Sequence, residues 1–213
     1  MPSVDSHSAR DELFRRIGRN VVNFQYLEAT LRIMIPVLAN KGTLKTLQTN
    51  QNEVSRKYKK STLGNLANAF HERVYGKSLA DEAPSNEDSS EAIIAFWVHL
   101  DVTPEKAEER RRALSNLIAE RNRLIHHDLL DIDLDSQEEC DEFCARLDEQ
   151  YTRIRRHLDY LNSLRTGFQE TAAEFGRLLQ SEEFLAVLMG EQVDLEHLGY
   201  RLCESDSKTE EDA

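Results

Sequence analysis

The chain of 213 residues has 39% hydrophobic and 31% charged side chains, and its 8 Gly and 4 Pro are too few for the turns of a sandwich, a barrel or a doubly wound sheet. The net charge of −12 excludes a uniformly basic surface for nucleic acid. Because the sequence has no apolar run of about 18 residues, no apolar signal core near Met1 and only 3 cysteines, we expect a mainly helical protein of the cytoplasm without membrane contact.

The first part of the sequence predicts two helices. Apolar residues recur every three or four positions over residues 10–39, which indicates a long amphipathic helix. Pro36 is expected to kink this helix or to end it in the last turn. We expect residues 1–9 to be disordered. A short second helix is predicted to begin after the N-cap Ser61 and to extend through His71.

The segment between these helices is the most basic part of the chain. Residues 1–80 hold 13 Lys and Arg against 6 Asp and Glu, whereas residues 81–213 carry a net charge of −19. Residues 40–60 are polar and aperiodic, and we predict a loop there. The densest basic run consists of Arg56, Lys57, Lys59 and Lys60. Either these side chains belong to a solvated loop, or they form a basic edge that contacts RNA phosphates.

Residues 75–90 are rich in turn-forming side chains and predict a second loop. Over residues 92–100, apolar side chains occupy alternate positions. A period of two is typical of a strand or of half a hairpin, but no partner strand follows in the sequence. The sequence is therefore compatible with either a strand or a helix in this segment.

A clear helix start follows at Thr103, an N-cap residue, with Pro104 at the first helical position. This helix is predicted to extend to about Leu130, and its last turns hold a dense polar cluster. Arg121 and His126 in that cluster are five residues apart, about 140° around a regular helix, a gap that the long arginine side chain can bridge. The helix dipole near the C-terminus favours a protonated imidazole.

The last part of the sequence predicts a very long helix. Ser136 and Glu139 match a capping box before a helix over residues 137–180, which would be about 65 Å long if straight. Such a helix bends, with Gly167 as the expected position, or packs on a second chain. We assign residues 10–180 to a helical bundle, residues 181–203 to a helical extension and residues 204–213 to a disordered acidic tail.

An arginine beside a histidine suits the cleavage of RNA by its own 2′-hydroxyl group. That reaction needs a base, an acid and a cation on the pentavalent phosphate, and it needs no metal. The guanidinium of Arg121 fits phosphate oxygens, and the imidazole of His126 can take or give a proton. The same residues are also compatible with a surface helix that ends in a capping histidine. His126 and His127 point about 100° apart, which disfavours a shared metal ion, and we expect no metal site.

The segment Arg121-Asn-Arg-Leu-Ile-His126 resembles the R-N-x-x-x-H form of the Arg-x4–6-His motif of HEPN domains. HEPN domains are antiparallel helical bundles whose long first helix often carries an inward acidic or amide residue, and Glu28 matches that residue. The resemblance covers about residues 13–164. It implies an all-α, HEPN-like bundle with long helices, to which the pattern at residues 92–100 adds a possible short strand or hairpin.

Many HEPN proteins are metal-independent endoribonucleases of toxin–antitoxin and phage-defence systems, and they act as dimers in which two motifs face one cleft. The resemblance implies that Arg121 binds the scissile phosphate, that His126 acts as acid or base, and that Asn122 orients one of them. Glu28 and His127 are supporting candidates. No cofactor is implied. The implied partners are a second copy of the chain, RNA, and an antitoxin or another defence protein.

Two other interpretations stay open. Some HEPN domains lack ribonuclease activity. In the first alternative, the chain is a silent dimerisation or interaction module in which Glu120 or Asp128 forms an ion pair with Arg121. Alternatively, the chain is a helical regulatory protein in which Arg121 and His126 merely pack. Asp128 also stands where HEPN toxins paired with a nucleotidyltransferase antitoxin carry a tyrosine, so neutralisation through such a tyrosine is not expected.

Overall fold

The computed structural model describes residues 4–43, 45–76, 94–182, 184 and 186, and most of these residues are helical. The elements are α1 (Val4–Leu38), β1 (Ala39–Gly42), α2 (Leu47–Tyr58), α3 (Leu63–Tyr75), β2 (Ile94–Trp97), α4 (Pro104–Arg123) and α5 (Gln137–Leu178). A π-helical turn, Leu124–Asp128, continues α4. The predicted predominance of helix is confirmed. Within the described residues, no helix is long and apolar enough to cross a membrane.

Helix α1 begins earlier than predicted: residues 4–9, which we expected to be disordered, are helical. Its first turns have apolar partners: Ala9 and Leu13 are buried in a cluster with residues of α5. At the other end, α1 stops at Leu38, in the turn that contains Pro36, as expected for a residue without a backbone N–H group.

The segment with alternating apolar residues contains a strand and not a helix. Strand β2 pairs antiparallel with β1, with Ala39 opposite Trp97 and Gly42 opposite Ile94. The partner strand precedes β2 in the chain. It escaped prediction because the sequence Ala-Asn-Lys-Gly has no β-branched or aromatic residue to favour a strand. The loop predicted over residues 75–90 lies outside the described residues except for its first two positions.

The loop predicted over residues 40–60 is wrong, because most of this segment is β1 and α2. Helix α2 has no fully buried residue and touches the core only through the half-buried Val54 and Tyr58. It therefore has too little apolar surface to produce a helical period. Helix α3 is capped by Thr62 and not by Ser61, and it extends beyond His71 because Val74 is fully buried.

The predicted caps of the two later helices are confirmed. The Thr103 hydroxyl accepts a hydrogen bond from the backbone N–H of Lys106 (3.4 Å), and the Ser136 hydroxyl accepts one from Glu139 (3.3 Å). The carboxylate of Glu139 accepts from the backbone of Asp133 and not from that of Ser136, so only half of the capping box forms. Helix α5 continues through Gly167.

The chain divides into two compact units, Met1–Arg165 and Thr166–Ala213. All elements except the end of α5 belong to the first unit, which also holds the candidate site. The acidic tail over residues 204–213 and most of the helical extension over residues 181–203 lie outside the described residues.

Two apolar clusters form the core of the first unit. The larger cluster joins the second half of α1 to α3, α4 and the middle of α5. The smaller cluster joins the start of α1 to Leu124 in the π-helical turn and to the start of α5. It includes Cys140 and Cys144, which are buried, and burial raises the pKa of both thiols.

A buried amide pair separates the two clusters. Asn20 is fully buried on α1, and its Nδ2 donates to the carbonyl oxygen of Leu147 (2.8 Å) and to Oε1 of Gln150 (3.0 Å) on α5. On the adjoining surface, Arg19 donates to a carboxylate oxygen of Asp148 (2.8 Å). Because a buried amide without a partner is costly, these bonds favour one register of α1 on α5.

We expect Asn20→Ala to lower the free energy of unfolding by about 1–3 kcal/mol, because it leaves the buried amide of Gln150 without its partner. Urea denaturation measures the change, with the exposed Asn52→Ala as the control. Combining Asn20→Leu with Gln150→Met is expected to restore much of the loss, since no buried amide is then left unpaired. A single Asn20→Ala change as mild as the control would contradict the role of the pair.

Candidate functional site

The candidate motif spans the junction between a regular helix and a wider turn. Arg121 lies in the last turn of α4, and His126 lies in the π-helical turn. Because a π-helical turn closes with i→i+5 hydrogen bonds, each residue in it advances by less than 100° around the axis. His126 is therefore rotated away from Arg121 by less than the 140° of a regular helix. Such turns are found frequently at functional sites.

The motif side chains lie at the surface of the first unit. Arg121 is half-buried, whereas Asn122, His126 and His127 are exposed. Arg121 Nη1 donates a hydrogen bond to Oδ1 of Asn122 (3.1 Å). The rings of His126 and His127 meet edge to face, with centroids 6.4 Å apart. The structure thus joins Arg121 to Asn122 and sets His126 one turn further along the chain.

Asp128 binds the π-helical turn to its surroundings. Its Oδ1 accepts a hydrogen bond from Arg123 Nε (2.7 Å), and its Oδ2 lies 3.6 Å from Arg146 Nη2 on α5. The bond to Asp128 raises the pKa of Arg123 above its usual value. Residues five apart meet across a π-helical turn as residues four apart meet across an α-helical one. This spacing is the signal for a positioning role of Asp128, which the sequence analysis missed.

The two acidic residues considered as partners of Arg121 both bind other arginines. Glu120 accepts a hydrogen bond from Arg153 on α5 (2.9 Å), and Asp128 holds Arg123. Within the described part of the chain, Arg121 has no carboxylate partner. Its guanidinium keeps most of its donors for other acceptors.

Glu28, a supporting candidate in the sequence, forms its contacts within α1. Its carboxylate forms an ion pair with Arg32 one turn along α1 (2.5 Å), and Arg32 also donates to the backbone oxygen of Ser61 (3.2 Å). Among the described residues, the hydrogen bond to Arg121 comes from Asn122. The side chain that orders Arg121 is therefore its neighbour on the same helix.

The basic run lies on a helix and not on a loop. Its four side chains are exposed at or just after the C-terminal end of α2, and they are Arg56, Lys57, Lys59 and Lys60. Positive charges at this end of a helix interact favourably with the helix dipole. The ammonium of Lys57 also lies 5.5 Å from the centre of the Tyr58 ring. The run therefore has a structural role in α2 in addition to any contact with a ligand.

The motif lies outside two cavities of the first unit. A cavity of about 490 Å³ between α4 and α5 is lined by Glu120, Arg123 and Asp128, but not by Arg121, Asn122 or His126. A second cavity of about 550 Å³ does not include these three residues either. Among the described residues, no group of three His, Cys, Asp or Glu side chains is placed to hold a metal ion.

Exposed apolar side chains flank the motif. Leu130 is 83% exposed and Ile125 is 38% exposed, so both sides of His126 present apolar surface to solvent. By contrast, Leu124 is buried in the smaller core cluster and anchors the turn.

Comparisons with protein-family models, with curated proteins and with solved structures give no significant match to this chain. The resemblance to HEPN domains therefore depends on the motif and on the order of the helices.

We expect Asp128→Ala to loosen the π-helical turn, because it frees Arg123 and Arg146. Both guanidinium groups are more than half exposed, so the loss in unfolding free energy should stay below about 1 kcal/mol. Hydrogen exchange should instead report faster exchange at the amides of residues 124–130. The control Asp159→Ala removes an exposed ion pair with Arg155 and should leave these amides unchanged. Unaltered exchange in Asp128→Ala would exclude the positioning role.

Proposed function

We propose that this protein is a metal-independent endoribonuclease of the HEPN type that acts in a toxin or phage-defence system. The observation that supports this proposal most directly is that Arg121 has no carboxylate partner among the described residues. Glu120 and Asp128 bind other arginines, and Arg121 is oriented by the neutral amide of Asn122. A guanidinium held in this way can bind a phosphate, whereas one paired with a carboxylate is already neutralised.

The proposed chemistry needs no group beyond these side chains and the RNA. Arg121 binds the non-bridging oxygens of the scissile phosphate and stabilises the charge of the pentavalent transition state. One His126 imidazole takes the proton from the attacking 2′-hydroxyl group, or a protonated imidazole gives one to the departing 5′-oxygen. The products are a 2′,3′-cyclic phosphate and a free 5′-hydroxyl group. His127, the exposed neighbour of His126, is a supporting residue in this proposal.

A homodimer completes the proposed site. One chain offers one motif on an open surface, outside the two cavities described above, whereas acid and base catalysis in one step uses two proton-transferring groups. The exposed Ile125 and Leu130 beside His126 supply apolar surface for a second copy. In this dimer, the basic residues at the C-terminal end of α2 contact the RNA backbone. An antitoxin or another defence protein would cover the same surface.

A silent interaction module of the HEPN type is the second candidate function. The charge distribution favours it, because residues 81–213, which include the motif, carry a net charge of −19 that repels RNA. In this alternative, the exposed apolar residues near the motif mediate assembly only. The cleavage experiment below separates the two functions.

Purified protein is expected to cleave labelled single-stranded RNA or tRNA in excess chelator. His126→Ala should lower the rate by about 10²–10⁴-fold, since it removes the proton-transferring group, and Arg121→Gln should lower it by a similar factor. The control His99→Ala changes another exposed histidine and should keep full activity. Full activity in His126→Ala would refute the assignment of the site, and an inactive wild-type protein would favour the silent module.

We expect Leu130→Asp to convert the dimer into a monomer, because it places a charge in the centre of the proposed contact. Light scattering after size-exclusion chromatography measures the mass, and cleavage should fall in parallel. The matched control is Ile33→Asp, which alters another exposed apolar side chain, on α1. If the control loses the dimer and Leu130→Asp keeps it, the chains meet through α1 and the proposed two-motif cleft is wrong.

A further inference from the structure

One cavity of the first unit has the features of a ligand site, although no residue of the motif lines it. It has a volume of about 550 Å³ and lies between α3, α4 and α5. Its apolar lining includes Phe70, Leu114, Leu117 and Leu161. A mainly apolar cavity of this size with a few convergent polar groups is typical of sites for small molecules.

The convergent polar groups are two phenols and a guanidinium. The hydroxyl groups of Tyr75 and Tyr160 lie 2.5 Å apart, and Arg110 Nη1 donates to both, at 3.1 Å and 2.6 Å. The guanidinium carbon of Arg110 also lies 4.7 Å from the centre of the Tyr160 ring. Arg110 is therefore held in one position by two elements, α3 and α5, before any ligand arrives.

Arg110 differs from its neighbours on α4 in having no carboxylate partner among the described residues. Lys106 pairs with Glu109, and Arg111 pairs with Glu108. Arg110 instead faces the neutral phenols of Tyr75 and Tyr160. A half-buried positive charge in mainly apolar surroundings that lacks an acidic partner attracts an anion.

The remaining polar lining includes two carboxylates, Glu109 and Glu120, and each forms an ion pair with a basic residue of the same lining. His157 on α5 lines the cavity, and burial together with the nearby Arg156 lowers its pKa, so that the neutral imidazole is favoured. Arg156 lines the cavity as well. His71 adds a ring that lies 4.8 Å from the Tyr75 ring, centroid to centroid. The cavity thus combines aromatic surface with an excess of positive charge.

We propose that this cavity binds a small organic anion, with the anionic group on Arg110 and a ring-sized apolar body against Phe70 and Leu114. The proposal is independent of RNA cleavage, because the cavity and the motif share no residue. Binding would use guanidinium N–H groups of Arg110 that do not bind the two phenols, so Arg110 stays in position and gains hydrogen bonds in which both partners are charged. The ligand would also bridge α3, α4 and α5.

The probe for the test is 1-anilinonaphthalene-8-sulfonate, whose fluorescence rises in apolar sites, beside the uncharged N-phenyl-1-naphthylamine, which has the same rings. The wild-type protein is expected to bind one molecule of the sulfonate and to prefer it to the neutral compound by at least about tenfold. Arg110→Gln should abolish the preference. The control Arg112→Gln removes an exposed charge from the same helix, outside the cavity, and should keep it.

A second variant keeps the test valid if Arg110→Gln unfolds. Ala113 is exposed at the lining of the cavity, so Ala113→Trp fills it without entering the core, and it should block the sulfonate while circular dichroism stays unchanged. Equal affinity for the two compounds, unaltered binding in both variants, or no binding to the wild-type protein would overturn the proposal.

Discussion

A buried amide pair sets the register of α1 on α5, and the position of the candidate site follows from it. Apolar packing is not directional, so two long amphipathic helices can also pack one turn out of register. Asn20, however, has its donors satisfied only where Leu147 and Gln150 lie opposite it. In that register the start of α1 meets the start of α5, and the two enclose Leu124. The amide pair therefore also determines where the π-helical turn can lie.

The π-helical turn determines which side chains face solvent at the end of α4. Leu124 points into the core, and Asp128 binds Arg123 and Arg146, so both ends of the turn are held. Between them the wider turn leaves His126 exposed. A regular helix would keep the apolar anchor but would rotate His126 further from Arg121. The buried Leu124 and the two ion pairs of Asp128 thus hold this rare geometry in place.

The features that could be predicted are those with a signal in the local sequence. Helix α4 has the cap Thr103, and α1 and α5 have long apolar faces, so the sequence predicts their type and most of their bounds. Helix α2 and strand β1 have neither signal: α2 meets the core only through Val54 and Tyr58, and β1 forms by pairing with β2. The motif residues could be selected by their chemistry. The π-helical turn could not, because it arises from contacts with α1 and α5.

The charges of α4 show how one helix can serve two sites. Most of its basic residues have an acidic partner: Lys106, Arg111, Arg112 and Arg123 bind carboxylates. Among the described residues, Arg110 and Arg121 are the two exceptions, and neutral side chains orient both of them. A neutral partner positions a guanidinium without cancelling its charge, so each remains able to bind an anion. One of these arginines lines an apolar cavity and suits a small organic anion, whereas the other lies on an open surface and suits the backbone of a polymer.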